Sequence, residues 1–177
     1  MTELRDAGCR VLAVCKPESK VHQFLQSHGI ECRVLPNNRK ISYASIRIIQ
    51  RMLTDERVDV VHVHFHKDIW TPSIAMRHDR RRRLFLSIYM GVIGKNDILH
   101  RWIYDRVDGI FTSSEELNAR LPSLYPVPSQ KIHLIPYGRR LNDYHIVQSR
   151  RAEIRRQLQV GDNDTLVGSM VRIDPGK

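Results

Sequence analysis

The chain has 177 residues, of which 41% are hydrophobic, so it is long and apolar enough to bury a core of its own. Intrinsic disorder of the whole chain is excluded by that apolar content, and no apolar run reaches the roughly 20 residues of a membrane-spanning helix. Lys and Arg number 29 against 19 Asp and Glu, which gives a formal net charge of +10. The excess charge predicts a partner that carries phosphate, such as nucleic acid, anionic lipid or a phosphorylated substrate.

The three cysteines, Cys9, Cys15 and Cys32, match neither a zinc-binding spacing nor an even set of disulfide partners. We therefore expect reduced thiols, which are typical of a cytoplasmic protein. The first ten residues contain no apolar segment of a signal peptide, and this agrees with a cytoplasmic location.

Short apolar runs alternate along the chain with segments that have the 3.6-residue period of an amphipathic helix. The apolar runs predict strands at 9–15, 30–35, 58–65, 83–89, 108–114, 131–136 and 165–171. The periodic segments predict helices at 18–28, 43–56, 68–79, 96–106, 114–121 and 149–160. Ser42, Asn96 and Ser114 are the expected N-caps, and Pro72 is compatible only with a first turn.

Strands joined through helices at this spacing require right-handed crossovers and a parallel sheet. The sequence therefore predicts a doubly wound, Rossmann-like α/β fold with helices on both faces of the sheet. In such folds ligands bind beyond the carboxyl ends of the strands. The carboxyl ends of four predicted strands, together with the residues that come next, are polar or contain glycine. These segments lie at 64–68, 87–91, 112–115 and 136–139.

Four segments resemble, in order, the motifs of glycosyltransferase family 4, the retaining group with the two-domain GT-B architecture. They are VDVVHVHFHKD at 58–68, VDGIFTSSEELNARL at 107–121, KIHLIPYGRR at 131–140 and VGSMVRIDPGK at 167–177. The resemblance covers essentially the whole chain. It implies a hexosyltransferase-type enzyme that moves a sugar from a nucleotide-sugar donor to a cell-envelope glycan or a lipid-linked acceptor, with retention of anomeric configuration.

The same resemblance implies a domain organisation. Residues 1–140 match the N-terminal, acceptor-side domain without its first strand, residues 141–163 a crossover linker with a basic helix, and residues 164–177 the start of the donor-binding domain. Family members begin with a strand and a Gly-Gly loop, and they hold the donor with a Glu-x7-Glu motif, neither of which is present in the sequence. We therefore expect a fragment that is inactive on its own.

Site residues follow from matching positions in the family. Arg172 and Lys177 are expected to bind the donor diphosphate, because two cations stabilise the charge of the departing group without a metal. No cofactor is expected beside the nucleotide-sugar substrate. Tyr89 stands where family members often carry a histidine, so the catalytic residue stays unknown. The expected acceptor-binding residues are His64, His66, Lys67, Tyr89, Gly91, Ser113 and Gly138.

The alternation of His62, His64 and His66 directs three imidazoles to one face of a strand. Two histidines at this spacing can bind zinc, but no carboxylate or cysteine nearby clearly completes a site, and we expect no metal. For His62, packing under a helix is the competing interpretation. His64 and His66 lie near the strand end, where an imidazole can bind a sugar hydroxyl or a phosphate. Trp70 and Trp102 are both expected in the core.

Two other functions stay open. A basic α/β module that binds nucleic acid or an anionic membrane fits the charge, although no helix-turn-helix, RRM or KH pattern is present, and we expect no nucleic acid. A GT-B sugar-nucleotide epimerase depends on acidic residues from both domains. For the transferase, the cluster Arg77–Arg83 predicts a peripheral contact with anionic lipid at the inner face of the membrane.

Overall fold

The structure, a computed structural model, describes residues 2–35, 41–89, 94, 96–138 and 148–168. The chain divides into two compact units, Met1–Tyr137 and Gly138–Lys177. The strands of the first unit are β1 Leu12–Cys15, β2 Glu31–Val34, β3 Val60–Val63, β4 Arg83–Ile88, β5 Gly109–Thr112 and β6 Ile132–Leu134. Its helices are α1 Thr2–Asp6, α2 Lys20–Ser27, α3 Tyr43–Asp55, α4 Trp70–Ala75, α5 Ile98–Asp105 and α6 Glu115–Leu124. In the second unit the structure describes one helix, α7 Gln148–Gln157.

All strand pairs of the described residues are parallel. β1 pairs with β2, and the remaining strands form a four-stranded sheet in the order β3-β4-β5-β6. A helix lies between each strand and the next one in the chain, so the chain crosses over between parallel neighbours as the periodicity predicts. The doubly wound α/β class is thereby confirmed. Residues 165–168 of the last predicted strand are irregular, and the rest of that segment lies outside the described residues.

The main core lies on one face of the four-stranded sheet. Leu84 and Leu86 of β4 and Ile110 of β5 are completely buried, because both strands are central and are covered by helices. Ile103 of α5 and Leu121 of α6 pack into the same cluster. Burying a side chain of this size contributes about 1.5–3 kcal/mol, so these residues hold the central strands in place.

Two of the three predicted N-caps are confirmed. The Ser42 and Ser114 hydroxyls accept hydrogen bonds from the first turns of α3 and α6. The prediction of Asn96 as a cap is wrong, because the carboxylate of the next residue, Asp97, accepts from the backbone N–H of His100 at 2.9 Å. The Asn96 amide oxygen instead accepts from the Arg101 side chain.

Other predicted boundaries differ for local reasons. The helix predicted at 68–79 is a short 3-10 turn, His66–Ile69, followed by α4, in which Pro72 occupies the first turn as expected. α6 continues to Leu124 although Pro122 was expected to lie in the following loop. Trp70 is buried, whereas Trp102 keeps 41% of its surface exposed and packs against the Arg77 guanidinium.

Every helix in the part of the chain that the structure describes is too short or too polar to cross a bilayer. Within the same ranges, no three side chains of His, Cys, Asp or Glu converge as metal ligands.

Candidate functional site

Polar side chains meet beyond the carboxyl ends of β3 and β4. The parallel register pairs Val63 with Leu86, so the residues that follow the two strands emerge side by side. His62 Nε2 lies 2.7 Å from Ser87 Oγ, and His64 Nδ1 lies 3.4 Å from the Tyr89 hydroxyl. Two hydrogen bonds therefore link the end of one strand to the end of its neighbour.

Aromatic contacts extend this group toward the end of β6. The rings of His62 and His64 are 4.2 Å apart, and Tyr89 stacks on Tyr137 with ring centroids 5.5 Å apart. We call His62, His64, Ser87, Tyr89 and Tyr137 the histidine–tyrosine cluster. Because Tyr89 is 39% exposed and Tyr137 is 72% exposed, the cluster presents aromatic surface and hydroxyl groups to solvent.

Burial sets the charge of the two histidines. Burial, with a smaller contribution from the neighbouring His64, lowers the pKa of His62 to about 4. Burial also lowers the pKa of His64. The His62 residue as a whole is exposed, but its ring lies against the rings of His64 and Phe111, which accounts for the desolvation. Both imidazoles are neutral at pH 7, so each offers one donor and one acceptor to a hydroxyl group.

The His62–Ser87 hydrogen bond has the distance of a base paired with a nucleophile. Ser87 is only 2% exposed, however, so a substrate atom does not reach its hydroxyl in this structure. The serine therefore orients the imidazole, and the exposed members of the cluster carry the contact surface.

Three other predicted acceptor residues, His66, Lys67 and Ser113, follow strands of the first unit. His66 and Lys67 belong to the 3-10 turn after β3, where the Lys67 ammonium lies 5.8 Å from the centre of the Phe65 ring. Ser113 follows β5 and is half-buried, and Gly138 is exposed at the start of the second unit. The predictions for Gly91, Arg172 and Lys177 fall outside the described residues.

The loop that follows β4 has one described glycine, Gly94, and packing explains it. A Cβ at this position would overlap the backbone carbonyl of Leu124 at the end of α6. The residue type is therefore fixed by close approach of two backbones.

Ser87 and Tyr137 were missed by the sequence-based site prediction. Ser87 looked like the end of an apolar strand, and Tyr137 lies about 50 residues away from Tyr89 in the chain. Only the pairing of β4 with β5 and of β5 with β6 brings these positions together. One sequence feature could have identified both residues. Ser87 lies near the carboxyl end of one predicted strand, and Tyr137 directly follows another.

A separate cleft of about 540 Å³ lies between α5 and the segment at 122–131. Arg101, Tyr104 and Lys131 contribute to its walls, and none of its lining residues belongs to the histidine–tyrosine cluster. The Lys131 ammonium already donates to the backbone carbonyl of Val107 at 2.7 Å.

The basic segment 77–83 is partly paired with aspartates of the same domain. Arg77 and Arg80 both form salt bridges with Asp105. Arg82 pairs with Asp79, and Arg83 pairs with Asp108. Among the arginines of this segment, Arg81 has no salt bridge in the described part of the chain. The segment is thus less basic as a surface than it is as a sequence.

A parallel α/β domain with polar and aromatic side chains beyond its strand ends has the architecture of enzymes that bind nucleotides and sugars. The sequence profile of Glycosyltransferase Family 4 matches residues 1–142. The chain belongs to glycosyltransferase family 4.

Solved structures support the fold. The chain is similar to a glycosyltransferase from Rickettsia africae ESF-5, with 15% identity, a TM-score of 0.74 and coverage of 91% of this chain and 44% of that one. Anabaena Alr3699/HepE, crystallised with UDP and glucose, gives 16% identity, a TM-score of 0.65 and coverage of 88% and 44%. Acinetobacter baumannii MurG gives 12% identity, a TM-score of 0.51 and coverage of 81% and 41%.

The chain thus spans less than half the length of each of these structures. No curated protein sequence matches the chain significantly.

Proposed function

We propose that the chain is the acceptor-binding part of a glycosyltransferase that uses a nucleotide-sugar donor and retains the anomeric configuration. Family membership over residues 1–142 supports the class, and a structural neighbour that holds UDP and glucose supports the type of donor. The observation that carries the proposal is the histidine–tyrosine cluster, which offers hydroxyls, neutral imidazoles and a stacked aromatic pair at the strand ends.

Each exposed member of the cluster has a chemical role in this proposal. The Tyr89 hydroxyl and the His64 imidazole, 3.4 Å apart, hydrogen-bond to hydroxyls of the acceptor. The ring of Tyr137 packs against the apolar face of a sugar, because an aromatic side chain provides a rigid apolar surface beside polar groups. His62, held by Ser87, keeps the His64 ring in place.

The remaining parts of the proposal come from the family. Arg172 and Lys177 stabilise the donor diphosphate, and Lys67, His66, Gly91, Ser113 and Gly138 border the acceptor. The acceptor is a cell-envelope glycan or a lipid-linked sugar at the cytoplasmic side of a membrane. Because a GT-B active site lies between two domains, the 177 residues are expected to release no nucleotide when they are incubated with nucleotide sugars.

Contact with anionic lipid is a further part of the proposal. Each basic residue near such a surface contributes about 1 kcal/mol when its charge is free. Four arginines of the segment 77–83 share three aspartates, one of which also pairs with Arg106, so we expect a weaker contact than the sequence implies, with Arg81 as the arginine of the segment that has no salt bridge in the described part of the chain.

The test is a titration of the purified chain with a panel of glycans and lipid-linked sugars, followed by NMR or calorimetry. We expect Tyr89→Phe and His64→Ala to raise the Kd of a bound sugar about three- to tenfold each, which corresponds to one hydrogen bond. Tyr43→Phe is the matched control, because Tyr43 is exposed on α3 and remote in sequence from the cluster. Melting temperatures should stay close to that of the parent chain.

The pH dependence adds a second measurement. Because burial holds the His62 pKa near 4, we expect sugar binding to stay constant from pH 8 to about pH 6 and to weaken as the pH approaches 4. Equal affinity of parent chain, Tyr89→Phe and His64→Ala for every sugar that binds would contradict the proposed site.

A further inference from the structure

Two of the three cysteines lie side by side on neighbouring strands. Cys15 ends β1, Cys32 is the second residue of β2, and the register pairs Ala13 with Cys32 and Cys15 with Val34. The two cysteines therefore occupy diagonal positions on the same face of the strand pair. Their Sγ atoms are 3.0 Å apart, so each thiol is within reach of the other.

The surroundings favour an internal reaction of this pair over reaction with an external thiol. Both cysteines are half-buried and pack beside the small core formed by Ala13, Leu25 and Ile30. Cys9, in contrast, is exposed and precedes β1. Burial raises the pKa of the Cys32 thiol to about 11, so Cys32 stays protonated at neutral pH and is attacked by an oxidant less readily.

The strand pair can also adjust to a covalent bond. A disulfide needs an S–S distance of about 2.05 Å, so the sulfurs must approach each other by roughly 1 Å. β1 and β2 form a two-stranded sheet in which Glu31 and Val34 of β2 are exposed, and a two-stranded sheet is held less firmly than a larger one. Because both cysteines are only half-buried, a small oxidant has access to the pair.

We propose that Cys15 and Cys32 form a redox-active dithiol that a peroxide converts to a disulfide. One thiol is first oxidised to a sulfenic acid while the peroxide O–O bond breaks and water is released. The second sulfur then attacks the sulfenic sulfur, the S–O bond breaks, and the hydroxyl leaves as a second water. The two thiols lose two hydrogen atoms in total, and the peroxide is reduced to two molecules of water.

The disulfide would close a loop that contains the whole of α2, from the end of β1 to the start of β2. Cross-linking a loop restricts the unfolded chain more than the folded one. The oxidised form is therefore more resistant to unfolding, and the carboxyl end of β1 is fixed to its neighbour. This inference does not depend on the proposed acceptor site.

The experiment uses the full chain and the variant Cys9→Ser, in which only the proposed pair remains. Each is treated with hydrogen peroxide, alkylated, digested without reduction and analysed by mass spectrometry. We expect a peptide pair joined through Cys15 and Cys32, a mass lower by two hydrogen atoms, and alkylation of both thiols only after reduction with dithiothreitol. The melting temperature should rise on oxidation and return on reduction.

Cys32→Ser provides the matched control, since Cys15 then has no neighbouring thiol and should be alkylated or oxidised singly. The proposal is overturned if peroxide leaves both thiols of Cys9→Ser open to alkylation, or if it produces separate sulfinic or sulfonic acids. Disulfides that join Cys9 to either member in the parent chain, with none between Cys15 and Cys32, would overturn it as well.

Discussion

The side chain of Arg106 is completely buried although it carries a full charge. Its guanidinium donates to the backbone carbonyls of Met76, Asp79 and Arg82 at 2.6–2.8 Å and to the Asp108 carboxylate at 2.7 Å. This single residue thus ties the segment between α4 and β4 to the start of β5. The sequence does not distinguish Arg106 from the many arginines on the surface, and only its contacts in the structure reveal its structural role.

We predict that Arg106→Met lowers the free energy of unfolding by about 3–5 kcal/mol, because the buried partners lose their donor. Methionine keeps most of the volume, so the loss reports on polar contacts more than on a cavity. Arg81→Met is the control, since Arg81 is exposed, and it should change the free energy by less than about 0.5 kcal/mol. Urea unfolding measures both. Equal midpoints for the two variants would contradict the structural role of Arg106.

The candidate site was only partly predictable at this scale. The alternation of His62 and His64 placed both imidazoles on one strand face, and Tyr89 was expected at the same edge from the resemblance. The hydrogen bond to Ser87 and the stacking on Tyr137 depend on strand register and on loop paths, which no local pattern encodes. For that reason three of the five cluster residues were singled out from the sequence, and Ser87 and Tyr137 were found only through the parallel pairing.

At the scale of the elements, the start of α5 shows which of two adjacent residues caps a helix. Asn96 and Asp97 are adjacent and both are good cap residues, so composition alone does not distinguish them. Asp97 has extended backbone angles and accepts from the His100 N–H, and its negative charge is favourable at the start of a helix. The pKa of the Asp97 carboxyl is lowered, first by the His100 N–H and then by the His100 side chain.

We therefore predict that Asp97→Ala costs about 1 kcal/mol of stability, whereas Asn96→Ala costs less than about 0.5 kcal/mol. The pair is well matched, because both residues are exposed and both precede α5. Thermal unfolding at neutral pH measures the difference. A larger loss of stability in Asn96→Ala than in Asp97→Ala would support Asn96 as the N-cap and contradict the assignment to Asp97.

Element types were predictable, since each described strand and helix from β1 through α7 coincides with an apolar run or a helical period in the sequence. Their ends were less predictable, because tertiary contacts override local signals. α6 runs past Pro122, and the packing of Leu121 and Leu117 in the main core accounts for the continued helix. The strand β3 is shorter than its apolar run, since Phe65 turns away into the 3-10 turn.

At the scale of the whole molecule, the charge of +10 is distributed differently from what the sequence implies. Asp105 and Asp108 lie 25–28 residues further along the chain than the arginines of segment 77–83 that they pair with, and these pairs form when β4 and β5 are adjacent. The Arg82–Asp79 pair lies within the segment itself. Surface ion pairs of this kind contribute little stability, about 0–1 kcal/mol each. Their main effect is to reduce the basic surface available to an anionic partner.

The terminal strands of both sheets have a hydrogen-bonded neighbour on one side only in the described part of the chain. β3 pairs only with β4 and β1 only with β2 in the described part of the chain, and Val60 of β3 is 54% exposed. Strand edges with exposed valines pair readily with other chains. We predict that the purified chain self-associates as its concentration rises and that Val60→Lys shifts it toward the monomer in sedimentation velocity.

The control for this last prediction is Val21→Lys. Val21 is 52% exposed, but it lies on α2, and a helix offers no strand edge for pairing with another chain. Both substitutions add one positive charge, so general repulsion between chains increases equally. Only the change in β3 places a charge on an edge that another strand must approach. An equal shift toward the monomer in both variants would assign the association to charge, and a monomeric parent chain at every concentration would refute the edge-pairing prediction itself.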